Sequence, residues 1–198
     1  MDIMIIVYAV LAYFIGSIPS GLIIGKTFFN TDVRQYGSKN IGATNTYRVI
    51  GLKAALPVFL CDALKGAAGV VLLSSYGPMY MILGGILAMM GHNWSIFLGF
   101  KGGRGVATGL GVLIALSPLV ALICFLVWGI IVYFTKVVSL GSIVAAALVP
   151  VLMYVTGESY WFVGFGGLAA LFVIVRHWDN IKRLLAGNEL KVERIKKD

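Results

Sequence analysis

The chain has 198 residues, 60% hydrophobic and only 12% charged, with a net charge of +8 and a mean hydropathy of +0.95. A soluble domain carries about twice that share of charge, so a water-soluble fold is excluded. A transmembrane β-barrel is excluded too, because the apolar runs are continuous and do not alternate.

In chain order the apolar runs cover residues 3–24, 54–73, 79–97, 106–134, 137–155 and 160–175. Each approaches or exceeds the roughly 20 residues that cross a hydrocarbon core as helix. The expectation is an all-α integral membrane protein, one polytopic domain over residues 1–198. The first run follows Asp2 where a signal peptide has a basic segment, and it is too long for one, so it reads as a retained span. Cys61 and Cys124 fall in apolar runs without metal-type spacing and read as buried free thiols.

Cations set the orientation. Lys26, Arg34, Lys39, Arg48 and Lys53 flank or fill the first loop, Lys101 and Arg104 lie in a glycine-rich one, and Lys136 stands between two runs. Arg176, Lys182, Arg183, Lys191, Arg194, Lys196 and Lys197 form a basic tail, whereas the turns at Gly77 and Gly157 carry no cation. The positive-inside rule then places the N-terminus outside. Residues 106–134 decide the count. As one helix they would be about 43 Å long with Pro118 near the middle, and the tail would emerge outside. As two short helices folded back at Ser117-Pro118 they return every loop cation to the cytoplasm. The reading is seven transmembrane helices, some short, with the N-terminus outside and the C-terminus cytoplasmic.

The residues that carry chemistry lie in the predicted cytoplasmic loops. Between Gly91 and Gly111 seven glycines accompany Lys101, Arg104 and His92, a composition suited to holding an anion. The first loop offers Ser38, Asn40, Thr44, Asn45 and Arg48, and a helix beginning near Gly42 would put Thr44, Asn45 and Arg48 within one turn, with its amides open to an anion. Ser142 follows Gly141 at the start of a span, where an N-terminal cap is the plain explanation. His177 and Asn180 are three apart and share a helical face. Glu189 reads as a brace for the tail. Asp62 and Lys65, also three apart, read as a structural pair inside the second run.

Several chemistries are missing. Gly25-Lys26-Thr27 is not a P-loop, because Ser20 stands where its first glycine is required. Gly21 and Gly25, like Gly105 and Gly109, read instead as sites of close helix packing. There is no His/Cys metal cluster, no Gly-x-Ser-x-Gly elbow and no His-x4-Asp pattern, since Phe97 follows His92 by five. No metal and no cofactor are expected. The cations are dispersed among span ends, which argues against nucleic acid and suits anionic membrane lipid.

Taken together, these residues resemble the PlsY family, the bacterial acyl-phosphate-dependent glycerol-3-phosphate acyltransferases. The resemblance runs from Gly16-Ser-Ile-Pro-Ser-Gly21 to the tail. It is carried by Gly37-Ser-Lys-Asn-Ile-Gly-Ala-Thr-Asn45 with Arg48, by Gly91-His-Asn-Trp94 with Phe100-Lys-Gly-Gly-Arg-Gly-Val-Ala-Thr108, and by Ser139–Ser142, His177, Asn180 and Glu189. Asp62-Ala-Leu-Lys65-Gly66 also fits; Arg104 departs, where many relatives carry lysine. The resemblance implies transfer of a fatty acyl group from acyl phosphate to the sn-1 hydroxyl of glycerol 3-phosphate, giving 1-acyl-glycerol 3-phosphate and phosphate. It implies a monomer in the bacterial inner membrane with its site facing the cytoplasm. Arg48, Lys101, Arg104 and the Gly102-Gly103 backbone are expected to bind phosphate. Ser38, Asn40, Gly42, Thr44, Asn45, Thr108 and Ser142 would orient phosphate oxygens and the acyl carbonyl, and His177 with Asn180 would position the acceptor. The proton would pass to a donor phosphate oxygen, or to His177. A transporter for small organic phosphates is the alternative, disfavoured because the chain shows no internal repeat.

Overall fold

A computed structural model describes residues 2–194, and among these the ordered elements are helical. The tail cations Lys196 and Lys197 lie outside the described residues. The chain forms two compact units, the first covering Met1–Val112 with the tail from Val192, the second Leu113–Lys191.

In the first unit, α1 (Ile3–Ser17) and α2 (Ser20–Phe29) meet at a 46° bend. The first apolar run is therefore a broken pair and not the continuous span expected. Pro19 disfavours helical backbone at the residue before it, and Ile18 is extended with ψ 118. A short helix, α3 (Ala43–Val49), starts where the sequence placed it, with Gly42 at its N-cap. It leads into α4 (Leu52–Leu72) and then α5 (Pro78–Asn93), whose first residue is the proline that helix starts tolerate.

Glycines set the packing of this unit. Gly16 of α1 lies on Ala88 of α5, Gly91 of α5 lies on the backbone of Tyr13 and Ser17, and Gly69 and Gly84 bring α4 against α5. The next helix, α6 (Val106–Leu116), meets α4 through Gly66 against Thr108 and Gly111 against Ala63. Gly21 and Gly25 allow close approach of the first-loop backbone at Ile41 and Thr31, so their partner is a loop and not a helix. Gly105 precedes α6 with φ +81, a turn position, and Gly109 makes only ordinary contact with Met89.

Ser117, with φ −150 and ψ 85, separates α6 from α7 (Pro118–Thr135), so the long run is two helices as the proline implied. At 11 residues α6 is about 16 Å long, short of the hydrocarbon thickness. The second unit holds α7, α8 (Val138–Val155), α9 (Tyr160–Arg176) and α10 (Trp178–Leu185), with a 60° bend between the last two. Four segments are long and apolar enough to cross a membrane, Leu52–Tyr76, Pro78–Leu98, Pro118–Thr135 and Val138–Val155, and the two bent pairs raise the count to six. Leu119, Leu122, Leu126 and Ile130 of α7 are exposed, as an outer surface in contact with lipid requires. Cys124 is buried but Cys61 is exposed, so α4 turns that thiol outward, against expectation.

Candidate active site

The first loop of the first unit is organised by one buried amide. Asn45 Nδ2 donates to the carbonyls of Val33 (2.8 Å), Asn40 (2.9 Å) and Tyr36 (3.2 Å), and its Oδ1 accepts the Ser38 N–H at 2.9 Å. Asn40 Oδ1 accepts the Gly42 N–H at 2.8 Å, an Asx turn that leads into α3. Asn40, Gly42 and Asn45 were expected to hold substrate. The hydrogen bonds these residues make here build the loop. Ser38 and Thr44 are half-buried beside them, and Arg48, one turn on, is only 5% exposed. Asp32 pairs with Arg34 (2.7 Å) and Lys26 (3.3 Å). The Arg34 hydrogen bond chiefly holds its carboxyl well below the usual range.

The glycine-rich loop departs from its expected design. Gly102 N–H donates to Asn93 O and Gly103 N–H to His92 O, each at 3.0 Å. Those amides, expected to bind phosphate, are spent on the C-terminal carbonyls of α5. The glycines are needed for contact: a Cβ on Gly102 would strike the His92 and Asn93 backbone, and one on Gly103 the His92 ring. A Cβ on Gly105 would come within 2.9 Å of Asn93 Nδ2. Lys101 is exposed and Arg104 half-buried, so the loop presents cations from a backbone fastened to α5. Thr108, expected to touch substrate, is fully buried where α6 meets Gly66.

Behind the loop lie buried charges. Lys65 Nζ is 2.7 Å from Asp62 Oδ1 and donates to the Ile18 carbonyl at 2.9 Å. His92 Nδ1 is 3.7 Å from the same Asp62 oxygen. The expected Asp62–Lys65 pair is present, with α1 and α5 joined to it. No local pattern in the sequence announces His92 as its third member.

The second unit carries its own polar cluster. His177 sits at the α9–α10 bend with Nδ1 2.8 Å from Val173 O. A carbonyl only accepts, so Nδ1 carries the hydrogen of the neutral ring and Nε2 its lone pair. Asn180, one turn on, donates to Glu189 Oε1, which also accepts from Ser139 Oγ at 2.9 Å. Arg183 Nε holds Oε2 at 2.7 Å. Burial raises the Glu189 pKa, but the hydrogen bonds from Asn180, Arg183 and Ser139 prevail and lower it. Glu189 thus braces the tail, as expected, and its link to Ser139 across 50 residues was not legible. Ser142 is no cap: its Oγ donates to Val138 O at 2.9 Å within α8, whose N-cap is Val137.

A family model described as glycerol-3-phosphate acyltransferase matches residues 6–187. A glycerol-3-phosphate acyltransferase of Fusobacterium nucleatum is 46% identical over 186 residues, covering 93% of this chain and 96% of that protein. Glycerol-3-phosphate acyltransferase 2 of Moorella thermoacetica is 48% identical, with 92% and 95% covered. Among solved structures, PlsY, an integral membrane glycerol 3-phosphate acyltransferase in its glycerol 3-phosphate form, superposes with a TM-score of 0.89 at 38% identity, with 94% of each chain covered. Its lysophosphatidic acid form gives 0.87 at 37% identity over the same shares.

Proposed function

We propose the donor, the site roles and the topology from one premise: this chain belongs to the glycerol-3-phosphate acyltransferase family and is a membrane acyltransferase. That premise sets the transporter alternative aside. The solved relatives, in glycerol 3-phosphate and lysophosphatidic acid forms, supply the acceptor and the product. The donor is acyl phosphate. The sn-1 hydroxyl oxygen attacks the acyl carbonyl carbon, the bond from that carbon to the phosphate oxygen breaks, and inorganic phosphate leaves.

The observation that carries this reading is the presentation of Lys101 and Arg104 on a backbone fastened to the end of α5. Fixed cations stabilise phosphate charge without reorganising during reaction. Buried Arg48, with the hydroxyls of Ser38 and Thr44, adds charge-assisted and neutral donors in the same unit. In the second unit His177 and Asn180 position the acceptor, and the Ser142 hydroxyl turns from the Val138 carbonyl to orient the acyl carbonyl. An acyl phosphate is an activated mixed anhydride, so proximity and charge stabilisation suffice without a covalent enzyme intermediate. The acceptor proton passes to a donor phosphate oxygen. His177 as base is the second reading, favoured by the Val173 contact that gives Nε2 the lone pair.

The topology is seven membrane segments, N-terminus outside and C-terminus cytoplasmic, with α6 as a short segment beside four long ones and two bent pairs. It rests on the cation distribution. The family match crosses the boundary between the two units, which supports a single catalytic domain; a monomer is the expected state. The expected location is the bacterial inner membrane, with both substrates met on the cytoplasmic side.

The test is a detergent assay of the purified protein with glycerol 3-phosphate and either acyl phosphate or acyl-CoA. Lysophosphatidate and phosphate should form from acyl phosphate; preference for acyl-CoA overturns the donor. In the same assay, a folded His177→Gln with near-normal turnover eliminates His177 as base.

A further inference from the structure

We propose that His92 is a positioning residue for acyl transfer, which, turned toward the buried Asp62–Lys65 pair, fixes the backbone that presents Lys101 and Arg104. The proposal rests on the assignment of those two cations to phosphate binding.

Asp62 is 2% exposed, Lys65 5% and His92 4%, all within membrane segments, where an ion pair is costly. Lys65 and His92 nevertheless each reach a different piece of backbone. Lys65 is tied to Asp62 and to the Ile18 carbonyl, which fixes the carboxylate in place. The Nδ1 edge of His92 faces that carboxylate at 3.7 Å, beyond hydrogen-bond length but near enough for the carboxylate's charge to orient a polar ring edge in a buried setting. The opposite edge of the ring, Nε2 with Cε1 and Cδ2, lies against Gly103 so closely that no side chain fits there.

His92 also holds Gly103 by its main chain, since its carbonyl accepts the Gly103 N–H at 3.0 Å. Ring and backbone thus constrain the same residue from one position. Gly103 is followed directly by Arg104 and preceded at two residues by Lys101. An aliphatic side chain would fill the space but would feel no torque from Asp62. Only a ring with a polar edge is oriented by a carboxylate on one side while supporting the loop on the other.

The test compares His92→Phe, which keeps a ring beneath Gly103 and loses the polar edge, with the parent, with Lys101→Ala and with the double variant. Unfolding temperature in detergent and KM and kcat for both substrates are read. For His92→Phe the expected result is an unfolding temperature near the parent's, kcat within about threefold, and KM for glycerol 3-phosphate or acyl phosphate raised at least about fivefold. The double variant should lose less kcat/KM than the product of the two single losses, because both act through one loop. Unchanged KM values in folded His92→Phe, or fully multiplicative losses, overturn the proposal. Should His92→Phe fail to fold, His92→Asn takes its place with the same expected and overturning results, since its shorter side chain keeps a polar group but leaves Gly103 unsupported. Lys101→Ala without effect overturns the phosphate assignment and this inference with it. An impaired Lys101→Ala beside unimpaired His92 variants overturns this inference alone.

Discussion

At Asn45 one buried side chain satisfies three carbonyls and an N–H contributed by Val33, Tyr36, Asn40 and Ser38. Asn45→Ala leaves those groups without their partner and should cost about 2–4 kcal/mol. The expected outcome is a lower unfolding temperature in detergent together with a fall in kcat/KM, because Arg48 follows Asn45 by three residues on α3. Asn45→Asp should be no better, since it turns an acceptor toward three carbonyls. Unchanged unfolding and kinetics in Asn45→Ala would remove it as the loop's organiser. The sequence showed that the loop is polar and chemically rich. It did not show which amides face a ligand and which face their own backbone, because that depends on where Val33 and Tyr36 come to rest.

Among elements, α4 and α6 approach so closely that the backbones of Ala63 and Thr108 occupy the places where side chains on Gly111 and Gly66 would begin. Lipid offers helices little hydrophobic drive to associate, so close backbone packing supplies much of the attraction. Gly111→Ala must separate the two helices, at a cost of about 1–3 kcal/mol. Gly129 in α7 has open space around it, so Gly129→Ala should hold or slightly raise stability through helix propensity. Paired thermal unfolding of the two variants in one detergent checks this; equal losses would show that glycine content alone matters. The helix joints were only partly legible. Ser117-Pro118 was, because a single helix there would be too long. The bend at Pro19 was not, because the apolar run continues through it and hydropathy carries no information about backbone direction.

For the whole molecule, the proposed number of membrane crossings rests on charge more than on helix length. The six-segment maximum by length leaves out α6, and including α6 is what keeps the loops at Lys39 and Lys136 on one side. In a background with Cys61 and Cys124 replaced by serine and alanine, single cysteines at Lys39, Lys136 and Gly157 distinguish the possibilities. An impermeant maleimide should label the Gly157 position from outside, and the other two only after the inner face is opened. External labelling at Lys136 would make α6 and α7 a single crossing. Membrane class, the breaks at Ser117 and the start of α3 were legible because proline, glycine and charge act locally. The fastening of Gly102 and Gly103 to α5 was not, because glycine-rich sequence is equally consistent with a nest for an anion and with a surface pressed against a helix end.

The bend at Pro19 has a further consequence. A bilayer interior has almost no water, so an ammonium placed there must find its hydration within the protein. The interrupted helix provides it: the Ile18 carbonyl faces Lys65, and the adjacent Ser17 carbonyl accepts from Ser95 Oγ at 2.6 Å. The Ile18 oxygen at the break acts as a fragment of internal solvent for Lys65, while the neighbouring Ser17 oxygen holds Ser95. Pro19 and Lys65 are therefore thermodynamically tied. A residue at 19 that let α1 run on into α2 would withdraw the oxygen and leave the cation dry, and an apolar residue at 65 would leave that oxygen without the charge it hydrates.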